Sequence, residues 1–430
     1  MSRKEKREND EQSKSRQIKI NVEEKREHNE YYNRISGRYR TLKFLAFGAL
    51  VLYIVGMLVI HRSQITYENL VYLMKDLDTD VDATGTVFRE IKYDESAKLS
   101  GALFKGYFAA ATTGSFTLFN TTGSAEREYS LSMENPKVLA GEKYVMVYDV
   151  GGNGYSLYTS IVNVLSKQTD QVLQGAALSD SGAFALICRA RENRYVIDFY
   201  DENFKEISRI YKDKYVMDAS LSPDGNRYVI ASCEVSGSDL TCEVMSGLCD
   251  SEESNTVTVE GAMPLETGFF SDGSFCVVCD DKLCFFAKDG SIAVQKELGG
   301  YGVSGISFSK DRVMIVESDN IVESRSTATV YDSAGNVVSE YRAGSRIANS
   351  ALGENYMFFA SDGKLVRVGF DGDTKETDCV LSVSFLLPFS DNVLVCTPKS
   401  AQTGFSVSDE NSADSAGDAA EGGIAFDPVD

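Results

Sequence analysis

A unit of about 40 residues recurs along the chain, and this repeat constrains the fold more than any other feature. Each copy runs from an apolar residue through Ser, Ala or Gly into a turn with Asp, Gly, Glu or Asn, and then into an aromatic residue or Val that opens a short apolar strand. The clearest copies are Leu178-Ser179-Asp180-Ser181-Gly182-Ala183-Phe184, Leu221-Ser222-Pro223-Asp224-Gly225-Asn226-Arg227-Tyr228 and Phe270-Ser271-Asp272-Gly273-Ser274-Phe275. Aligned on Tyr107, Tyr144, Phe184, Tyr228, Phe275, Val313, Tyr356 and Val393, the copies lie 37, 40, 44, 47, 38, 43 and 37 residues apart. Such a unit is too small to bury its own apolar face, so neighbouring units must stack on one another.

Within one copy the strands can be followed as Gly268 to Phe270, Phe275 to Cys279, Leu283 to Ala287 and Ile292 to Leu298, with turns at Asp280-Asp281 and Lys288-Asp289-Gly290. Period-2 alternation, short apolar runs and only six Pro in the chain give an all-β signature. Four short strands at this period predict a β-propeller of four-stranded blades, eight by the count of opening strands, with seven as the alternative. The last unit, Ser384 to about Phe405, lacks an outer strand. Val87 to Tyr93 is expected to supply it, since joining the first and last blades leaves few open edges.

With its Ser-x-Asp-Gly turns at this spacing, the chain resembles the WD40-like and YVTN-like β-propellers, eight-bladed quinoprotein-like scaffolds included, over residues 86–409. The Trp-Asp dipeptide of true WD40 repeats is missing. The whole chain also resembles a family of membrane-anchored propellers from Gram-positive bacteria, known as a domain of unknown function. These resemblances imply a rigid ring and no particular mechanism. The quinone-dependent propeller enzymes stack their cofactor on Trp, and this chain has none, so no cofactor is expected.

Charge divides the chain. Residues 1–43 hold 13 Lys+Arg and 8 Asp+Glu, net +5, so of the overall -21 the remainder carries -26. Between the two parts Phe44 to Ile60 has no charge, and eleven of its seventeen residues are Leu, Ile, Phe or Val. On an insertion scale these favour a bilayer by roughly 3 to 7 kcal/mol. A helix over 44–61 would be about 27 Å long, which suits a thin hydrocarbon core. Arg34, Arg38, Arg40 and Lys43 precede it with no acid after Glu30, which predicts a cytoplasmic N-terminus and an extracellular C-terminal domain. A cleaved secretory signal is the competing reading, but Ile60-His61-Arg62-Ser63-Gln64 offers no small-x-small cleavage site. The expected order is therefore a basic, mostly disordered cytoplasmic tail (1–43), a single-pass signal anchor (44–61), a juxtamembrane amphipathic helix with an acidic linker (62–85), the propeller (86–409), and a disordered acidic tail (410–430).

In the linker Asp76, Asp78, Asp80 and Asp82 alternate, which invites a calcium reading. An EF-hand loop counted from Asp78 would need Gly and Glu where the chain has Ala83 and Arg89, leaving a solvated linker or a looser calcium site. Both His, His28 and His61, lie outside the propeller region, so Ser-His-Asp and Cys-His catalysis and His-ligated zinc have no candidate residue there. All nine Cys fall within it. A hairpin centred on Asp281-Lys282 would set Cys279 opposite Cys284, and Cys242 with Cys249 is a second bridgeable spacing; buried free thiols are the alternative. Cys276 and Cys279, three apart on a strand, face opposite sides and cannot share a metal ion. Gly151-Gly152-Asn153-Gly154 lacks the Lys-Ser/Thr of a phosphate loop and reads as a hairpin turn. Asn120-Thr121-Thr122 matches a glycosylation acceptor, a triplet common by chance.

An acidic exterior repels nucleic acid. The function expected is a non-enzymatic binding or scaffold module, anchored by one membrane span, that takes an envelope protein or cell-wall partner on the propeller face. Two alternatives stand beside it: a glycan-active enzyme using paired carboxylates, and a sensor coupling outer binding to the cytoplasmic tail.

Overall fold

Every repeat unit folds as a four-stranded antiparallel sheet, and eight such sheets close into a ring. The structure, a computed structural model, describes residues 13–16, 36–53, 55, 87–94, 98–190, 195–237, 239–299, 302–318, 325–379 and 381–405. Two units divide the chain, residues 1–74 and 75–430.

In the first unit residues 36–53 are helical, beginning eight positions before the predicted span. Arg38 to Lys43 contains no Pro or Gly to stop a helix, and Thr41 Oγ1 donates back to the Gly37 carbonyl at 2.9 Å. No helix among the described residues is long and apolar enough to cross a membrane. Position 54 and positions 56–61 of the predicted span lie outside the described residues, as do the predicted juxtamembrane helix, Asp76, Asp78, Asp80 and Asp82, and the acidic tail.

In the second unit, blades 1 to 7 occupy residues 100–130, 136–168, 172–212, 215–260, 264–297, 303–343 and 349–378. Blade 8 takes Phe385–Phe389, Asn392–Cys396 and Ser400–Thr403, and its outer strand is Ile91–Lys92 from the other end of the ring. Eight blades and closure by the early strand are thus as the repeat predicts. Ile91 pairs with Ala401, the Tyr93 amide donates to the Lys399 carbonyl at 3.2 Å, and the Tyr93 hydroxyl donates to the Thr397 carbonyl at 2.7 Å.

The core is not one mass but eight apolar clusters, one in each junction between neighbouring blades. Middle strands therefore bury both faces, and alternate residues serve different junctions. In Phe275–Cys279, Cys276 and Val278 pack toward blade 6 while Phe275, Val277 and Cys279 pack toward blade 4. This is why these strands read as unbroken apolar runs. The fourth strands are exposed and polar, as in Ala125–Ser130.

The repeated turn joins the first strand of a blade to its second. Asp224 Oδ1 takes the Asn226 amide at 3.2 Å, and Asp272 Oδ1 takes the Ser274 amide at 2.8 Å, so the recurring acid is turn chemistry. Gly225 has φ +74, and a Cβ there would come within 2.6 Å of the Ala183 side chain of blade 3. Only Gly satisfies both demands. Val150 to Asn153 connects Val145–Asp149 with Gly154–Tyr158, so the Gly-rich segment is a hairpin turn.

Candidate functional site at the corner of blades 3 and 4

Blade 4 departs from its neighbours. Its second and third strands, Arg227–Ser236 and Asp239–Leu248, have 10 residues each, against 5 each in blade 5. The first strand stops pairing at Cys233 and the fourth at Thr241, so the hairpin tip beyond them has no strand on either side.

The base of this hairpin is clamped. Glu243 Oε1 accepts from Lys212 Nζ at 2.7 Å and Glu243 Oε2 from Lys214 Nζ at 2.6 Å, with Lys214 also 3.5 Å from Glu234. Lys212 ends the outer strand of blade 3 and Lys214 precedes the first strand of blade 4, so one carboxylate ties the connection between blades to the hairpin. Burial opposes the charge on Glu243, but the hydrogen bonds from the two ammonium groups outweigh it and hold its pKa below the usual range.

Around the clamp lies an apolar and aromatic surface. Val235 at the tip is 65% exposed, Tyr215 47%, and Met217, at a bulge in the first strand, 42%, whereas Tyr211, also exposed, shares with Val196 the face of blade 3 turned toward blade 2. Tyr195 meets Tyr215 edge to face at 6.4 Å, and Val172, also exposed, opens the first strand of blade 3 at the same end of the ring. Large apolar side chains gathered on a rigid support are what protein interfaces use. The turn motif alone does not mark this corner. Its signal was present in the 47-residue spacing from Tyr228 to Phe275, the longest in the series.

Two half-buried carboxyls lie nearby on first strands. Asp218 Oδ2 accepts from the Thr267 amide at 2.7 Å and from Thr267 Oγ1 at 2.9 Å, while Ser220 Oγ donates to the Thr267 carbonyl at 2.8 Å, which joins blades 4 and 5. Burial pushes Asp218 up to about 6 against these bonds. Burial, then the Asp218 charge, pushes Glu266 up to about 7. Register sets Asp218 beside Ala231 in the junction of blades 4 and 5, and Glu266 beside Val278 in the junction of blades 5 and 6. The strand Pro264–Phe269 separates the two carboxyls, so they do not flank a common space as a glycosidase pair must.

All nine Cys are free thiols. The hairpin expected around Asp281-Lys282 instead turns at Asp280-Asp281, between Phe275–Cys279 and Lys282–Phe286. Cys284 therefore lies opposite Val277, and Cys279 becomes its diagonal neighbour rather than its partner. Cys242 packs in the junction of blades 4 and 5 and Cys249 in that of blades 3 and 4, on opposite faces of their sheet. Among the described residues no group of three or more His, Cys, Asp or Glu is arranged to hold a metal ion. Asn120 spends its side-chain oxygen on the Thr122 and Ser124 amides, each at 3.0 Å, in the turn before the outer strand of blade 1.

The ring is similar in fold to BamB from Moraxella catarrhalis, with a TM-score of 0.53 and 12% identity over 74% of this chain and 99% of that one. A chain of the mitotic checkpoint complex (TM-score 0.46, 13% identity, 70% and 95% covered) and hydrazine synthase from Kuenenia stuttgartiensis (0.46, 12%, 70% and 99%) match less well. At these identities the likeness is one of fold, a β-propeller. No curated protein sequence matches the chain. Residues 84–403, nearly the whole ring, match the model of a family of unknown function, and the chain belongs to that family, DUF5711.

Proposed function

We propose that the protein is a non-enzymatic scaffold, anchored in a cell membrane by its apolar segment, whose propeller stands on the outer side and docks an envelope protein at the corner of blades 3 and 4. The observation that carries this reading is the exposed Val235 on a hairpin clamped through Glu243, with the exposed Tyr215 and Met217 on the first strand of the same blade. A rigid support lowers the ordering cost of binding. The anchor and its orientation are supported by the uncharged Phe44 to Ile60 and by the cations just before it.

The test places a photo-crosslinking amino acid at Val235 in the full-length, membrane-embedded protein, with Glu126 on the outer strand of blade 1 as control. The expected result is a discrete protein adduct at 235 that is absent at 126 and weakened by Tyr215→Arg. An adduct that disappears on digestion of the cell wall would name a wall polymer as the partner. No adduct at 235, or equal adducts at both positions, would overturn the docking site. Protease cleavage of the ring in intact cells, with an N-terminal tag protected, tests the orientation separately.

A further inference from the structure

We infer that the segment docking on the blade 4 hairpin is a basic one, an extended stretch of a partner protein in which apolar residues alternate with Lys or Arg. The inference rests on the docking surface proposed above and adds the chemistry of its occupant. Pairing splits the hairpin tip into two faces. Val235 lies opposite Leu240, two positions from Cys242, which packs in the junction with blade 5, so Val235 turns to that side. Glu234 lies opposite Thr241, and Thr241 opposite Glu260, so both carboxylates belong to the face turned toward blade 3. On the other flank stands the blade 5 turn Asp280-Asp281. It is tied to the end of blade 4, because Lys282 Nζ donates to the Glu260 carbonyl at 2.8 Å and lies 3.7 Å from Asp281.

The charges at this end of blades 4 and 5 are sorted by exposure. Asp213, Glu234, Glu260 and Asp280 are exposed, whereas Lys212 is buried and Lys214 and Lys282 are half-buried. Each of these lysines is already answered within the ring, Lys212 and Lys214 by Glu243 and Lys282 by the Glu260 carbonyl. The corner therefore presents an apolar tip in an acidic frame. An acidic segment is repelled there. A purely apolar one covers Val235 but strips water from the surrounding carboxylates and gives them no new partner. A Lys or Arg side chain does both jobs, laying its stem on Val235 or Met217 and carrying its charge to the acids. The main chain favours an extended partner. Cys233 is the last residue that the first strand pairs with, so at Val235, two positions on, the next N–H and C=O on that edge face no strand among the described residues.

The test uses the full-length protein in phosphatidylcholine nanodiscs and fluorescein-labelled seven-residue peptides of alternating Lys and Val, Lys and Gly, or Glu and Val, followed by fluorescence anisotropy. The Lys-Val peptide should bind with a dissociation constant below about 1 mM at low salt, and weaken about tenfold or more when salt is raised to about 500 mM. The other two peptides should bind about tenfold more weakly or worse. Glu234→Lys combined with Glu260→Lys should weaken the Lys-Val peptide about tenfold or more, and Asp213→Lys should act in the same direction, with unfolding midpoints unchanged. Glu126→Lys combined with Glu128→Lys, on the outer strand of blade 1, should leave binding in place. No binding of the Lys-Val peptide, equal binding of either other peptide, or equal weakening by the blade 1 pair would each overturn the inference. Whether a protein docks in cells is read separately from the adduct at 235. Its absence overturns the docking surface even where the peptide binds, and an adduct undiminished by Glu234→Lys with Glu260→Lys overturns only the basic occupant.

Discussion

Lys310 of blade 6 reaches Glu142 of blade 2, Nζ to Oε1 at 3.7 Å, so an ion pair joins turns four places apart in a ring of eight. The channel at that end is no wider than two side chains can span. Asp180, on the neighbouring turn of blade 3, senses both: its own burial and then Glu142 raise its pKa, and Lys310 lowers it. Lys310 and Glu142 are 73% and 70% exposed, so the pair contributes at most about 1 kcal/mol. Lys310→Gln should therefore leave the urea midpoint in place and shift the Asp180 titration to higher pH, as read by carboxyl-carbon NMR. An unmoved Asp180 titration would mean that the bridge does not form in solution.

Ring closure rests on few residues. Ile91 is fully buried between blades 8 and 1 with Phe88, and Thr403 Oγ1 donates to the Phe88 carbonyl at 2.9 Å. Ile91→Ala should cost about 2 to 4 kcal/mol. Hydrogen exchange should quicken first in Tyr107–Ala111 and Asn392–Cys396, the middle strands that face this junction. Uniform quickening around the ring would argue against a local seam.

Stability should fall as pH rises through neutrality. Asp218 and Glu266 have folded pKa values raised to about 6 and about 7 by burial. Groups raised in this way hold their proton more tightly when folded, so their contribution is complete below the unfolded values near 4 and is lost as pH passes 6 to 7. The loss is of the order of 3 kcal/mol for each. Glu266→Gln should match the wild type at pH 4.5 and be more stable at pH 8. Equal melting temperatures for the two proteins at pH 8 would count against a buried, ionising Glu266.

Thiol reactivity should be graded. Eight of the nine Cys are buried and Cys379 alone is half-buried, so a thiol reagent should label one equivalent quickly in the folded protein and the other eight only with unfolding. Cys379→Ser should abolish the fast phase. More than one fast equivalent would mean that the junctions between blades open readily.

The ring was legible because its turns repeat. Each aligned residue from Tyr107 to Val393 stands at or within one position of the start of a second strand, since the same turn chemistry is needed at every blade. The closing strand was legible too, from the missing fourth strand of the last unit. The register at Asp280-Asp281 was not: two acidic residues followed by Lys282 fit a turn centred at either step, and only packing on both sides selects one. Asp218 and Glu266 were hidden among 56 acids, although each interrupts an apolar strand, as in Val216-Met217-Asp218-Ala219.

The partners Ile91 and Ala401 lie 310 residues apart in the chain. At about 5 to 20 residues per second, a ribosome takes about 15 to 60 s to make the chain between them. Throughout that interval the early strand has no place to go, and the blades already made form an open fan with an uncovered sheet at each end. Whatever escorts the nascent polypeptide must therefore shelter Phe88 and Ile91 from other chains until the final hairpin is synthesised. A product that stops short of residue 400 keeps both ends open, a ready substrate for proteolytic clearance.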